Sequence, residues 1–179
     1  ENQISSLDVT KNTKLRELSC WQNQLSALDV SKNLSLTDLT CDYNQITSLD
    51  VSKNTQLKVL RCSSNQLAEL DVSKNPGLVE LNCVSNQLDS LDITNNTQLK
   101  HLETSNNPIG SLDLSRNTLL EEVYCWGDQL TELDVSKNAA LTELECSSNK
   151  LTELDVSNCK LLESLNCREN QISSLDIRA

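Results

Sequence analysis

The sequence contains no phenylalanine and no methionine, and it has only two tryptophans and two tyrosines among 179 residues. Side chains of these types usually supply much of the buried area of a compact globular core. A core in this chain must therefore be built from leucine, valine, isoleucine and cysteine. Such small side chains suit a thin, repeating structure better than a thick globular domain.

An excess of positive charge is also lacking, since the formal net charge is −11. Nucleic acids and anionic membrane surfaces attract basic patches, so this composition argues against both as partners. No apolar run approaches the length of a membrane span, and no secretory leader is recognisable. We therefore expect no direct membrane insertion and a basic or neutral partner.

One frame recurs every 21 residues, and a fixed period of this length is typical of a solenoid. It starts at Asn2, Asn23, Asn44, Asn65, Asn86, Asn107, Asp128, Asn149 and Asn170. The period predicts one repeat domain over residues 1–179, with eight full units and a partial ninth. Because the chain begins and ends within a unit, we expect it to be part of a longer protein.

Each unit has two halves, and both alternate apolar and polar residues at their centre. The first half reads L-x-x-L-x-C-x-x-N, with Leu18 and Cys20 on one side, and the second reads L-x-x-L-D-V-S-K-N, with Leu28 and Val30 on one side. Alternation of this kind indicates a short strand with one buried face. The sequence therefore predicts a β-rich solenoid with two short parallel strands per coil, two stacked parallel sheets and little or no helix.

Two residue types recur at fixed positions of the unit. Seven of the eight cysteines share one inward position, which predicts a column of buried, reduced thiols rather than disulfides. The sequence contains no Cys-x-x-Cys motif and no pair of histidines that would indicate a metal site, and no cofactor is expected. Asparagine ends each half in almost every unit, and its amide can satisfy backbone groups where the chain turns.

The half-motif L-x-x-L-x-C-x-x-N-x-L resembles the signature of leucine-rich repeats, over essentially the whole chain. The second half, N-x-L-x-x-L-D-V-S-K-N, is similar to that of short, nested bacterial repeats. The resemblance implies a curved or slightly twisted solenoid that binds a partner, in a secreted protein or on a bacterial cell surface. Many such repeats place a helix in the second half; the strand pattern here predicts a flatter rod.

The two halves differ in how much their outward residues vary between units. The second half carries an aspartate in every unit, followed in six units by Lys or Arg three residues later. The first half varies freely, for example through Ser19, Thr40, Arg61, Asn82, Glu103, Tyr124, Glu145 and Asn166. Uniform columns suit a framework, whereas varied columns suit recognition of an irregular partner.

All four aromatic residues lie on the variable half, where exposed Trp and Tyr would anchor a protein or glycan. The alternative is that they pack along neighbouring strand side chains and shield the sheet edge, and a lone histidine is usually a surface residue. The disturbed unit that contains Pro108 and Gly127 predicts a local bulge or a ligand site. The candidate partner-binding residues are Trp21, Tyr43, Arg61, His101, Tyr124 and Trp126.

Other functions have less support in the sequence. Calcium would favour the carboxylates of Asp50, Asp71 and Asp92, but one aspartate per coil supplies few ligands. No acid–base pair, nucleophile with a partner histidine or phosphate loop indicates an enzyme. A structural spacer or display stalk is the alternative to a binding module. Ends without polar caps would also allow chains to associate end to end.

Overall fold

The computed structural model describes residues 2–175, which form a solenoid around one parallel sheet of eight short strands. Each strand pairs with the next one along the chain, in the order β1 to β8. No helix occurs within the described range, so none there could cross a membrane. The predicted class, a β-rich repeat solenoid with little or no helix, is confirmed. The strands are Glu17–Ser19, Asp38–Thr40, Val59–Arg61, Glu80–Asn82, His101–Glu103, Glu122–Tyr124, Glu143–Glu145 and Ser164–Asn166.

The strands stack in exact 21-residue register, so like residues form continuous columns. Leu39 pairs with Leu60 and Leu60 with Leu81, and all three side chains are fully buried. The backbone ladder continues beyond each strand, as when the Cys41 N–H donates to the Arg61 carbonyl at 2.8 Å. Alternation therefore directs one side chain of each strand inward and leaves its two neighbours outward. The core consists of these leucines, the cysteine column and the Leu and Val residues of the second half.

The second strand of each coil, and with it the second sheet, is not found in the described residues. The Val30 carbonyl accepts the Asn33 N–H and the Asn54 amide, each at 3.0 Å. The Ser31 N–H donates to Asp29 Oδ1 at 2.9 Å. Because turns and side chains already satisfy these peptide groups, few remain for a ladder between coils. The alternating pattern correctly predicted buried Leu28 and Val30, but not strand pairing.

The asparagine columns cap the backbone as their sequence position predicts. Asn44 donates from Nδ2 to the carbonyls of Cys20 and Cys41, at 3.1 and 3.0 Å, and its Oδ1 accepts the Leu25 N–H at 3.0 Å. Asn54 donates to Val30 and Asn33 of the preceding coil. Each amide thus ties its own coil to the one before it, and this fixes how far apart the coils lie.

Candidate functional site

Two long surfaces run along the solenoid, and they differ in variability. We call the first surface the sheet face. It consists of the first and third residue of every strand, together with the residue two positions after the third. We call the second the aspartate flank, which carries the aspartate of each second half. The sheet face changes from coil to coil, and its strands have no partner on their outer side within the described residues. This surface is therefore the candidate site.

The aspartates of the flank are held by their own turns. In each described case Oδ1 accepts the backbone N–H of the Ser or Thr two residues later, as at Asp50, where the distance to Ser52 is 2.8 Å. These hydrogen bonds lower the pKa of the carboxyls, while the nearby lysines add only a smaller effect. The column is Asp8, Asp29, Asp50, Asp71, Asp92, Asp113, Asp134 and Asp155; Asp176 lies outside the described residues.

Grooves follow the aspartate flank, one of about 940 Å³ beside Asp113 and Asp134 and one of about 500 Å³ beside Asp50 and Asp71. Nowhere in residues 2–175 do three His, Cys, Asp or Glu side chains come together as a metal would need. The calcium candidates Asp50, Asp71 and Asp92 stay a prediction. One oxygen of each, Oδ1, is already engaged by a backbone donor of its own turn.

The aromatic candidates project from the opposite surface. Trp21 is 45% exposed, Tyr43 57% and Trp126 42%, whereas Tyr124 is half-buried on β6. Tyr43 lies at the corner after β2 with φ 52°, in the left-handed region that most side chains avoid. The structure separates two groups, Trp21 with Tyr43 at the first coils and Tyr124 with Trp126 near the sixth strand.

Arg61 and His101 each contact a glutamate on the next strand. Arg61 Nε lies 2.5 Å from Glu80 Oε1, and a second nitrogen completes the fork at 3.1 Å. His101 Nδ1 lies 3.2 Å from Glu122 Oε2. His101 therefore belongs with the Tyr124 group, because β5 and β6 are neighbours. Arg61 lies on β3, two strands from His101, and its charge is balanced by Glu80.

The sequence analysis missed the glutamates that surround Tyr124. We call Glu103, Glu122, Tyr124, Trp126 and Glu143 the acidic-aromatic patch. Burial, and then the charge of Glu80, raise the pKa of Glu103. Burial, and then Glu143 as acceptor of the phenol hydrogen, raise the pKa of Tyr124. Glu122 and Glu143 occupy the first position of their strands, where Glu17, Asp38 and Glu80 also stand, and this column of carboxylates is the signal that the sequence offers.

The disturbed unit differs in its backbone and in its buried polar groups. In most other coils the residue at the position of Pro108 donates its N–H to the preceding coil, as Gln87 does to Leu67 at 2.8 Å. Proline has no such donor, and the Gly110 N–H instead donates to the Asp128 carbonyl at 2.9 Å. Asp128 replaces the usual asparagine and accepts from the Thr104 hydroxyl at 2.5 Å and the Asn107 N–H at 2.9 Å. The predicted irregularity is a local rearrangement of the backbone.

The family model for the Leucine Rich Repeat matches residues 150–179. The functional domain of InlJ from Listeria monocytogenes, described as including a cysteine ladder, superposes with a TM-score of 0.97 at 45% identity, over 98% of this chain and 39% of that one. This chain is a leucine-rich repeat protein. Its column of buried cysteines at one position of every repeat but one is a feature of the same kind.

Two further solved structures extend the comparison of this leucine-rich repeat chain. A leucine-rich repeat protein of Leptospira interrogans has a TM-score of 0.92 at 26% identity, over 98% of this chain and 49% of that one. The plant peptide hormone receptor RGFR1, in complex with RGF2, has a TM-score of 0.74 at 23% identity, over 93% and 30%. This chain therefore spans less than half of each of the three solved chains. A search of curated proteins by sequence finds no significant match.

Proposed function

We propose that this leucine-rich repeat chain is a non-catalytic binding module that holds a protein through its sheet face. One observation carries the proposal: the residues of the sheet face vary from coil to coil and include two exposed aromatic rings, Trp21 and Trp126, while the aspartate flank repeats. A framework needs sameness, whereas a partner with an irregular surface needs variety. Exposed Trp and Tyr on a rigid surface are typical binding anchors.

The fold comparisons support a binding role, because the solved plant receptor with this fold is in complex with RGF2. Residues 1–179 would act as one solenoid domain in this role. The resemblance to short bacterial leucine-rich repeats, among them those of InlJ from Listeria monocytogenes, favours an extracellular or cell-surface location. Neither a cofactor nor catalysis is part of this proposal. A glycan in place of the protein is an outcome of the test below.

The test begins with a random-peptide display library selected on the wild-type chain, and with an oligosaccharide array probed in parallel. Selected peptides are then measured against Trp21→Ala and Trp126→Ala, and we expect one of them to weaken binding by about tenfold or more. Leu34→Ala is the matched control, because Leu34 is 55% exposed but lies outside the sheet face. Selected ligands that bind both tryptophan variants as tightly as wild type would refute the sheet-face site. Ligands found only on the oligosaccharide array would replace the protein partner, and a chain that selects nothing would be a spacer.

A further inference from the structure

Charges on the sheet face are balanced less well than charges on the aspartate flank. Each described aspartate of the flank accepts a backbone hydrogen bond, and six repeats add a lysine or arginine three residues later. The sheet face has eight carboxylates and only two guanidinium groups, Arg61 and Arg168. These carboxylates are Glu17, Asp38, Asp42, Glu80, Glu103, Glu122, Glu143 and Glu145.

Several sheet-face carboxylates have strong partners within the chain, which leaves fewer of them as candidates for binding a cation from outside. Glu80 pairs with Arg61, while Asp42 and Glu145 each accept a backbone N–H from a serine, Ser63 and Ser147 respectively. No lysine or arginine of the described residues forms an ion pair with Glu103, Glu122 or Glu143, which lie on three consecutive strands, β5 to β7. Their partners are the Asn82 amide, His101 and the Tyr124 hydroxyl, respectively. Neighbouring parallel strands are about 4.8 Å apart, so these charges are close enough to repel one another.

Local burial makes this repulsion stronger around Tyr124. Glu103 is half-buried and takes up protons more readily than an ordinary glutamate, because burial and Glu80 raise its pKa. Burial raises the pKa of the Tyr124 phenol, and its hydrogen bond to Glu143 raises it further. The charges of Glu143, Glu122 and Glu103 act in the same direction. The only imidazole of the chain, His101, contacts Glu122 alone among these carboxylates. A cation from outside would relieve the repulsion.

The sheet face continues past Tyr124 to a second aromatic ring, that of Trp126, two residues later. Trp126 follows β6 and is 42% exposed, and its column neighbours Ser105 and Ser147 are small and buried, at 0% and 4% exposure. No large side chain stands beside the indole in its column. A flat aromatic face next to carboxylates is the arrangement that favours a guanidinium or ammonium group, through cation–π attraction and charge-assisted hydrogen bonds.

We infer that the acidic-aromatic patch docks an arginine- or lysine-bearing segment of a protein partner, whose cationic side chains meet the ring of Trp126 and the carboxylates of Glu103 and Glu143. The inference rests on the proposed function and names the chemistry that the partner supplies. Arginine fits better than lysine, because its planar group stacks on a ring and bonds a carboxylate with two parallel N–H groups. A sugar would use the indole but would gain nothing from the carboxylates' charge.

The experiment measures fluorescence anisotropy of three labelled peptides of equal length, in which glycine alternates with arginine, lysine or glutamine. The test variant is Glu103→Gln with Glu143→Gln. Its control is Glu132→Gln with Glu153→Gln, which removes the same net charge from exposed positions beside the aspartate flank. We expect the arginine peptide to bind most tightly and to lose about tenfold or more in affinity on the test variant. On the control we expect less than about a threefold change, and Trp126→Ala should weaken the arginine peptide as well. Thermal unfolding of each variant verifies that it is folded.

Several results would overturn the inference. One is equal loss on the test and control variants, which would indicate attraction by net charge alone. Others are an arginine peptide that does not bind at all, or a glutamine peptide that binds equally well. These results leave the proposed function standing if peptides selected from the display library still need Trp21 or Trp126. If those peptides ignore the sheet face as well, the proposed function fails with the inference.

Discussion

At the scale of single residues, Asp128 is a buried carboxyl where the repeat normally has an amide. It is fully buried, and burial raises its pKa to about 6 although Thr104 and Asn107 donate hydrogen bonds to it. Its folded pKa exceeds the unfolded value, so the folded state binds the proton more tightly. The contribution of Asp128 to stability should therefore increase as pH falls from neutral through 6 toward the unfolded pKa near 4.

Asp128→Asn should remove this pH dependence, because an amide does not titrate in the range. Between pH 7.5 and 5.0 we expect wild type to gain about 1 kcal/mol of unfolding free energy relative to the variant. Urea unfolding of both proteins at the two pH values measures the difference. Other groups titrate equally in both proteins and cancel in the comparison. An identical change with pH in wild type and variant would show that Asp128 is not the group responsible.

Cys159 replaces the asparagine that ends the second half in the other repeats. Its sulfur lies 3.7 Å from the carbonyls of Val135 and Asn138, whereas Asn138 donates to the equivalent carbonyls of the coil before at 3.2 and 2.9 Å. A thiol is a weak donor. We expect Cys159→Asn to stabilise the chain by about 1 kcal/mol, since two amide N–H bonds replace the single weak bond that a thiol can donate, while Oδ1 stays unpaired as in Asn138.

Thermal unfolding of Cys159→Asn and Cys159→Ala checks this expectation. The alanine variant keeps a small apolar side chain but has no donor, so its stability should fall below that of wild type. A melting temperature for the asparagine variant that is at or below the alanine variant's would contradict the capping role. Asn138→Cys is the reciprocal change, and it should destabilise the chain for the same reason.

At the scale of the element, the corner after each strand places one residue in the left-handed region. Gln22, Tyr43, Ser64 and their equivalents adopt this φ despite having a Cβ atom, and in the sixth repeat the residue is Gly127 at φ 70°. A Cβ added to Gly127 would meet nothing closer than 3.9 Å. Only backbone strain therefore opposes Gly127→Ala, and we expect a loss of about 1 kcal/mol of unfolding free energy.

The reverse change at another corner provides the control. Ser64→Gly should relieve the strain at the cost of a more flexible unfolded chain, so its effect on stability should be small. Urea unfolding measures both variants. A loss for Gly127→Ala of several kcal/mol would mean that a side chain does not fit, contrary to the open space around Gly127.

Elements also show how far the sequence could predict this fold. The 21-residue period predicted the register, the inward leucines and the asparagine caps, because each follows from side-chain direction alone. The prediction of a second strand was wrong, because the side chains of Asp29 and Asn54 already bond to peptide groups of the second half. Those groups are then not available for pairing between coils. The patch around Tyr124 was only half predicted. Its glutamates lie in two columns, Glu122 and Glu143 at the first position of their strands and Glu103 at the third, and only the strand register places them together.

At the scale of the whole molecule, each coil packs only on its neighbours, so stability propagates along the solenoid rather than around a centre. The thiols report on this arrangement. Cys62 and Cys83 in the middle are fully buried, and burial raises the pKa of both, whereas Cys167 beyond β8 is only partly buried. A thiol reacts as the exposed thiolate. Reaction at the central coils therefore requires that those coils open first.

Maleimide labelling of the native chain, read out by peptide mass spectrometry, should modify Cys167 first and Cys62 and Cys83 last. The free energy of opening estimated from the Cys62 rate should approach that of global unfolding, since exposing Cys62 requires its coil to separate from both neighbours. Leu81→Ala, in the strand next to Cys62, should destabilise the chain by about 2–5 kcal/mol and accelerate labelling of Cys62 and Cys83 together. Labelling of Cys62 as fast as that of Cys167 in the wild-type chain would contradict a continuous, closed interior.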